Sequence, residues 1–474
     1  MRWMKTTMTT ISAGIACLCM FGILCSIGVS ALAQDAPAGF FRTKQVDGKW
    51  WLVDPAGQLF ISKGVTTVSF AQDRIKGTEV SPYEQTNTAK YGTQDAWRDA
   101  TAKRLMGWGF NTLGAWSDER LCKVTMDGKY LACAPTIDLG AAYVSRKSKG
   151  EQAWLHGIFP DVFDPEFQTI AREIATTRCA PRKDDKSILG WFTDNELRWG
   201  PDWRGKDELL TMFLALPAKA PGRIAAVEML QRRYGEIGKF NTVWKTSFAD
   251  WPALRAAGAV APPVIRKEVY AQNQEVERQA SLKDPNREAF VADCDEFSSL
   301  LAEAYFKITS QAIKAADPNH MVFGARFAYV PPKPVVEAAV KYLDVVSFNC
   351  YGTDPRQVIR AYSVFNKPLI IGEFSFRGKD SGLPNTRGAG PIVATQQDRA
   401  DAFAKYATLA LSQPNLVGYH WFEHCDEPRE GRFDGEDSNY GVVNIKDDIY
   451  TTLTQTMTQI NAKAEELHRA PTAK

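Results

Sequence analysis

The stretch "GWFTDNELRWG", residues 190–200, begins as a buried strand and ends as something else. With Ile188 and Leu189 ahead of it, Trp191 and Phe192 complete an apolar run, and Asp194, Asn195 and Glu196 then close it with two carboxylates and an amide. A second run has the same form: "PLIIGEFSF" (368–376) sets Glu373 at the end of an apolar strand. In parallel α/β barrels the chemistry sits at the C-terminal ends of the strands. The fold therefore turns on whether both strands belong to one barrel.

The remainder of the chain supplies the other strands. Apolar runs at Leu59–Val65, Phe110–Trp116, Ala134–Leu139, Ile188–Glu196, His320–Phe327, Leu343–Tyr351, Pro368–Phe376 and Leu416–Glu423 read as strands. Between them lie helical patterns near 95–107, 164–178, 292–316, 332–341, 355–365, 396–412 and 449–467. The last carries Tyr450, Leu453, Met457, Ile460, Ala464 and Leu467 at three- and four-residue steps, the stripe of an outer helix packed on a sheet. Eight strands alternating with helices predict an α/β fold, a (β/α)8 TIM barrel over residues 59–474, with a doubly wound open sheet as the alternative. Turn signals at Asp47-Gly48 and Pro55-Ala56-Gly57 predict a short N-terminal β-hairpin over 34–58, packed on the barrel. The pattern is broken twice. A cysteine-bounded hairpin stands where a helix is expected between the second and third strands. After the fourth strand, residues 198–290 form a long insertion with helical pieces such as Arg223–Phe240, expected to cover the active-site face.

The chain has 474 residues, 45% hydrophobic and 24% charged, an ordinary globular composition. Residues 1–33 differ. Arg2 and Lys5 precede an uncharged apolar stretch from Ile11 to Val29, and Ala31-Leu32-Ala33 offers a cleavage site. This reads as a signal peptide of a secreted or periplasmic protein, with an uncleaved membrane anchor as the alternative. Beyond it, the 55 acidic residues are balanced by an equal number of basic ones. Such a balance gives no field for a polyanion, so no nucleic-acid partner is expected. Nor is a stable membrane partner expected if the segment is cleaved. Oligomeric state is not legible. Six cysteines remain, and "CKVTMDGKYLAC" (122–133) has Asp127-Gly128, a hairpin turn signal, at its middle. Folding about that turn sets Cys122 opposite Cys133 and predicts a disulfide, with two free thiols as the alternative.

Strands four and seven lie across a barrel mouth from each other. Carboxylates facing there, Glu196 and Glu373, are placed to flank a glycosidic bond, one protonating the leaving oxygen and the other attacking the anomeric carbon. Asn195 is a candidate for a sugar hydroxyl. Asn349 and Tyr351, two residues apart at the end of strand six, share a face, and Tyr351 is a candidate donor to Glu373. Trp421 on strand eight is expected to be a flat platform under a sugar ring, with Trp116, Trp199 and Trp203 as further subsites. Arg326, ending strand five, is expected to hold a carboxylate or a sugar oxygen, or to form a structural ion pair. His420 either touches substrate or packs. His420 and His424 would lie roughly 13 Å apart on a continuing strand, too far to share one metal ion. Glu423, Asp426, Glu427 and Glu436 are rival carboxylates. "DGEDSN" (434–439) offers calcium-type oxygens without the full EF-hand spacing and reads as a solvated or sugar-contacting loop. No metal and no cofactor are expected.

Asn195-Glu196 after strand four, "GEF" at 372–374 and a tryptophan on strand eight resemble the clan A retaining glycoside hydrolases. More narrowly, "GWFTDNELRWG" and "WFEHCDEPREGRFDGEDSNYGVVN" (421–444) resemble the β-agarases of glycoside hydrolase family 50. "YGEIGKFNTVWKTSFADW" (234–251) is similar to a segment of the family 42 β-galactosidases. The resemblance implies Glu196 as acid/base, Glu373 as nucleophile, and retaining cleavage of β-galactosidic linkages in agar-type oligosaccharides or polysaccharides. The alternatives are a hydrolase or transglycosylase acting on another β-glycan, such as a mannan or glucan, and a non-catalytic sugar-binding barrel.

Overall fold

Side-chain alternation along the strands separates two apolar layers. In the computed structural model, which describes residues 39–264 and 283–470, Met321 and Phe323 join one buried cluster and Val322 the other. The smaller cluster also gathers Ala115, Ala132, Ala134, Leu189, Phe192, Val345, Ile370 and Val417, drawn from runs spread along the whole chain. Phe41 and Leu52 of the N-terminal segment complete it.

Three short strands, β1 (Arg42–Val46), β2 (Lys49–Val53) and β3 (Leu59–Phe60), form an antiparallel N-terminal sheet turned at Asp47-Gly48. The predicted first strand is thus divided: β3 belongs to this sheet, and β4 (Ser62–Val65) to the main one. With β5 (Thr112–Leu113), β6 (Ala132–Cys133), β9 (Val346–Asn349), β10 (Leu369–Phe374) and β13 (Leu416–Trp421), β4 makes a six-stranded parallel sheet in the order β6-β5-β4-β13-β10-β9. β7 (Gly190–Phe192) and β8 (Met321–Gly324) form a separate parallel pair. Isolated parallel bridges, Cys133 with Ile188, Thr136 with Phe192 and Phe327 with Phe348, connect this pair to the β6 and β9 edges. β11 (Arg377–Gly378) and β12 (Ile392–Val393) pair beyond β10. The fold is α/β with a parallel sheet.

Helices follow the strands at the expected places, including Gln94–Gly107, Pro165–Arg178, Arg287–Ala316 and Gln396–Leu411. After β7, short helices between Leu209 and Ala256 pack around Phe213, Leu230, Phe240 and Trp244. The expected leader over 1–33 lies outside the described residues. Among those described, no helix is long and apolar enough to cross a membrane.

Cys122 and Cys133 form a disulfide with Cα atoms 6.7 Å apart, but not across an opposed strand pair. Cys122 lies in a 3-10 turn, Glu119–Lys123, and Cys133 in β6, which runs parallel to β5. The Asp127-Gly128 turn is present, closed by a single antiparallel bridge between Met126 and Lys129. The predicted hairpin collapses to that turn because Ala132 and Cys133 are recruited by β5. Cys179, Cys350 and Cys425 are buried free thiols, and Cys294 is buried as well. The bridge spans 11 residues of sequence, a loop for which chain entropy gives about 3 kcal/mol. Replacing both cysteines by serine should therefore lower the urea unfolding free energy by about 2–3 kcal/mol. An unchanged midpoint would show that the link carries no stability.

Candidate active site

A bulge decides where Glu373 points. The pairing of β10 shifts register between Ile371 and Glu373 against β9, and between Ile371 and Phe374 against β13. Ile371 and Phe374 both pack in the outer core, so the two residues between them are left for the interior. A Cβ on Gly372 would lie 2.9 Å from both Arg326 Nε and Asn349 Oδ1, so only glycine fits beneath them. Glu373 follows, 5% exposed, and pairs in register with Asn349.

Both Glu373 oxygens are held. Arg326 Nη2 donates to Oε1, and the Tyr351 hydroxyl donates to Oε2 at 2.6 Å. Arg326 is itself fully buried, its guanidinium lying 4.5 Å from the Trp116 ring centroid and 5.2 Å from that of Phe192. Glu196, 7% exposed, is held in parallel fashion. Asn349 Nδ2 donates to its Oε1 at 2.8 Å, and Trp154 Nε1 to its Oε2 at 2.9 Å. Asn349 also reaches Asn195 Oδ1 at 3.3 Å. Asn349 therefore links the two centres: it pairs beside one glutamate and binds the other.

Three of these residues sit in left-handed backbone conformation, Trp116 (φ 60°), Glu196 (φ 51°) and Arg326 (φ 46°). Such conformations are uncommon for residues other than glycine. Neighbouring strand ends hold two of them: Glu196 N donates to Ala325 O at 3.0 Å, and Arg326 N to Ser347 Oγ at 3.1 Å.

Burial pushes the Glu373 carboxyl up to about 7, and the Glu196 charge acts in the same direction. Arg326 and the Tyr351 hydrogen bond pull it back down. His420 is pushed down to about 3, first by burial and then by Arg326, and is neutral.

The opening run now resolves into three different jobs. Asp194 caps the helix Leu139–Lys147, accepting from Gly140 N at 2.8 Å and Ala141 N at 3.0 Å, with Tyr305 donating at 2.6 Å. Asn195 is half-buried beside Asn349, and Glu196 faces Trp154 and Asn349. Trp154, on a short helix Ala153–His156, was not singled out in the sequence, where nothing marks it.

Trp421 and Trp199, expected at the substrate, are corrected, and His420 takes its packing alternative. Trp421 is fully buried: it lies on the outer face of β13 among Phe374 and Phe403, with Nε1 donating to Tyr440 O at 2.9 Å. It offers no ring face to a sugar. His420 has the opposite parity and points inward, but it is also fully buried. Its ring lies against Gly64, where a Cβ would come within 2.3 Å, and Nε2 meets Ser62 Oγ at 2.9 Å. Trp199 is likewise core, stacked on Phe306. Trp116 (39% exposed) and Trp203 (48%) remain open. Trp116 lines two adjoining clefts of about 510 and 290 Å³, the second running along Gly114, Ala134 and Asp138 in the segment where β5 and β6 lack an intervening α-helix.

A carboxyl raised by burial favours the folded state fully below its unfolded value, about 4.5. That contribution is lost as pH climbs to about 7. Glu373→Gln keeps the neutral form at every pH. It should match wild type below pH 4.5 and exceed it by about 3 kcal/mol at pH 8 in chemical denaturation. A variant less stable at both pH values would show that the ion pair with Arg326 outweighs burial.

No protein-family model matches the chain. β-Agarase A of Vibrio sp. (strain JT0107) is 30% identical over 90% of this chain and 46% of its own length, so the chain spans about half the length of that curated relative. The structure of PfGH50B and that of an exo-β-agarase each superpose with a TM-score of 0.73 at 25% identity. Both cover 92% of this chain, and 68% and 67% of their own. In sequence and in fold alike, the chain resembles the β-agarases of glycoside hydrolase family 50.

Proposed function

We propose that this chain is an exported, retaining β-glycosidase that hydrolyses β-galactosidic linkages in agar-type oligosaccharides or polysaccharides. The observation that carries the reading is the pair Glu196 and Glu373, at the ends of two parallel strands, each with both oxygens hydrogen-bonded. The β-agarases it resembles support the substrate class. The isolated bridges on both sides of the β7–β8 pair support a closed eight-stranded (β/α)8 barrel.

In this reading Glu373 is the nucleophile. Its Oε atoms are fixed by Arg326 and Tyr351, and the guanidinium stabilises the anion that must attack. Glu196 is the acid/base. The Glu196 charge is one of the causes that holds the Glu373 carboxyl up, so a proton placed on Glu196 releases Glu373 to ionise. The first step requires one proton and one charge on the pair. The acid gives its proton to the leaving oxygen as the nucleophile closes on the anomeric carbon, forming a covalent glycosyl-enzyme. Glu196, now ionised, takes a proton from water, which attacks the same carbon and releases Glu373. Trp116, Asn195 and Asn349 are the sugar-binding candidates beside the pair, and Trp203 is the other open tryptophan offered as a subsite.

The test is activity on agarose, neoagaro-oligosaccharides, β-galactosides, β-mannans and β-glucans, followed by azide rescue of two variants. Glu373→Ala should lose turnover and, with an activated β-galactoside and azide, yield the α-azide. Glu196→Ala should lose about 10²–10⁴-fold on substrates with poor leaving groups and yield the β-azide. Opposite stereochemistry in the two variants would reverse the roles. Cleavage of mannan or glucan alone would replace the substrate class, and binding without cleavage would leave a sugar-binding barrel.

A further inference from the structure

The chain leaving β13 carries Glu423, Asp426, Glu427, Asp434 and Glu436 within 14 residues. The structure divides them. Asp426 is consumed by Asn439, Gly441 N and Tyr450. Asp434 and Glu436 bind Arg432 at 3.0 and 2.8 Å. Glu423 is different: it is fully buried, and neither of its oxygens has a hydrogen-bond partner. Beside it, Asp73 Oδ2, from the loop after β4, and Glu427 Oε1 are also buried without one.

These three carboxylates converge. One oxygen from each of Asp73, Glu423 and Glu427 lies within 4.8 Å of the other two, the one such group among the described residues. Calcium–oxygen bonds of about 2.3–2.6 Å allow ligand oxygens on opposite sides of one ion to be about 4.6–5.2 Å apart, so a single ion can touch all three. The charge balance points the same way. Arg432 Nε lies 3.1 Å from Glu427 Oε1, yet this one guanidinium is already shared with Asp434 and Glu436. Burying carboxylates without a counter-charge or hydrogen bonds costs several kcal/mol each. The donor set is all oxygen, which selects a hard cation over zinc or copper. Calcium accepts irregular oxygen cages at about 2.3–2.6 Å and suits three carboxylates from two loops better than magnesium, which demands near-ideal octahedral geometry at about 2.0–2.1 Å.

We propose that Asp73, Glu423 and Glu427 form a calcium site that clasps the loop after β4 to the loop after β13. These strands are neighbours in the sheet, so the ion would tie their ends together at the rim of the cleft. It would also fix Arg432, which lies 5.4 Å from the ring centroids of both Phe422 and Phe433 and whose charge reaches Glu373. The site is independent of the substrate: its ligands are not the proposed catalytic pair.

Full-length protein stripped with chelator is titrated with calcium alone, with magnesium in parallel. Bound calcium is counted by equilibrium dialysis and Tm is followed. The expected result is one equivalent of calcium, a saturable rise in Tm, and a weaker response to magnesium. Glu423→Gln should remove both the binding and the rise. Asp73→Asn, at the half-buried edge of the cluster, should do the same and serves if Glu423→Gln does not fold. Wild type that binds no calcium overturns the proposal, as does an equivalent that both variants retain. A Glu423→Gln chain more stable than a calcium-free, calcium-indifferent wild type would show instead three carboxyls sharing protons.

Discussion

The contact between Arg326 and Glu373 is the constraint on which the rest of the site depends. A guanidinium with no exposed surface must be matched by an acceptor, and the Glu373 carboxyl supplies it. To meet Glu373, Arg326 leaves β8 in left-handed conformation and crosses beneath Trp116 and over Phe192. To receive it, β10 bulges and uses a glycine at 372, the position where a side chain would strike the guanidinium. Asn349 fills the remaining space and carries the arrangement on to Glu196. One charge pair thus fixes a strand end, a bulge, a glycine and the relation between two carboxylates.

Much of this was written in the sequence because strand ends are punctuated there. Apolar runs that close on Asn-Glu, Gly-Glu-Phe and Asn-Cys-Tyr can be read without coordinates, and the structure brings Glu196, Glu373, Asn349, Tyr351 and Arg326 together. Tyr351 donates to Glu373 as its two-residue offset from Asn349 led us to expect. What failed was parity on the last strand. Tyr419 and Trp421 face the helices, while His420 faces the interior. A strand buried on both faces reads as one continuous apolar run, so alternation cannot say which aromatic points where. The buried interior also hides the role of His420, which fits because Gly64 and Gly114 on neighbouring strands lack side chains.

Other residues had no signal to find. Trp154 reaches Glu196 from a four-residue helix whose position depends on the chain between β6 and β7. Asp194 looked as chemical as Glu196 two residues later, yet it caps a helix, a distinction set by which backbone amides stand opposite. The disulfide was read correctly for a reason only half right, since β5 recruits one flank of the expected hairpin. The acidic stretch after β13 was legible as a cluster of oxygens. That Asp434 and Glu436 turn to Arg432, while Glu423 and Glu427 turn to Asp73, required the loop after β4, about 350 residues away in sequence.

The central claim is that Glu373 forms a covalent bond to sugar. A 2-deoxy-2-fluoro-β-galactoside with a good leaving group slows release of the glycosyl-enzyme more than its formation, and mass spectrometry of the digested protein then locates the label. The account predicts one fluorosugar per chain, on the peptide that contains Glu373, and none on Glu373→Gln. Label on Glu196 or on Glu423, or turnover of the natural linkage without any trapped intermediate, would contradict it.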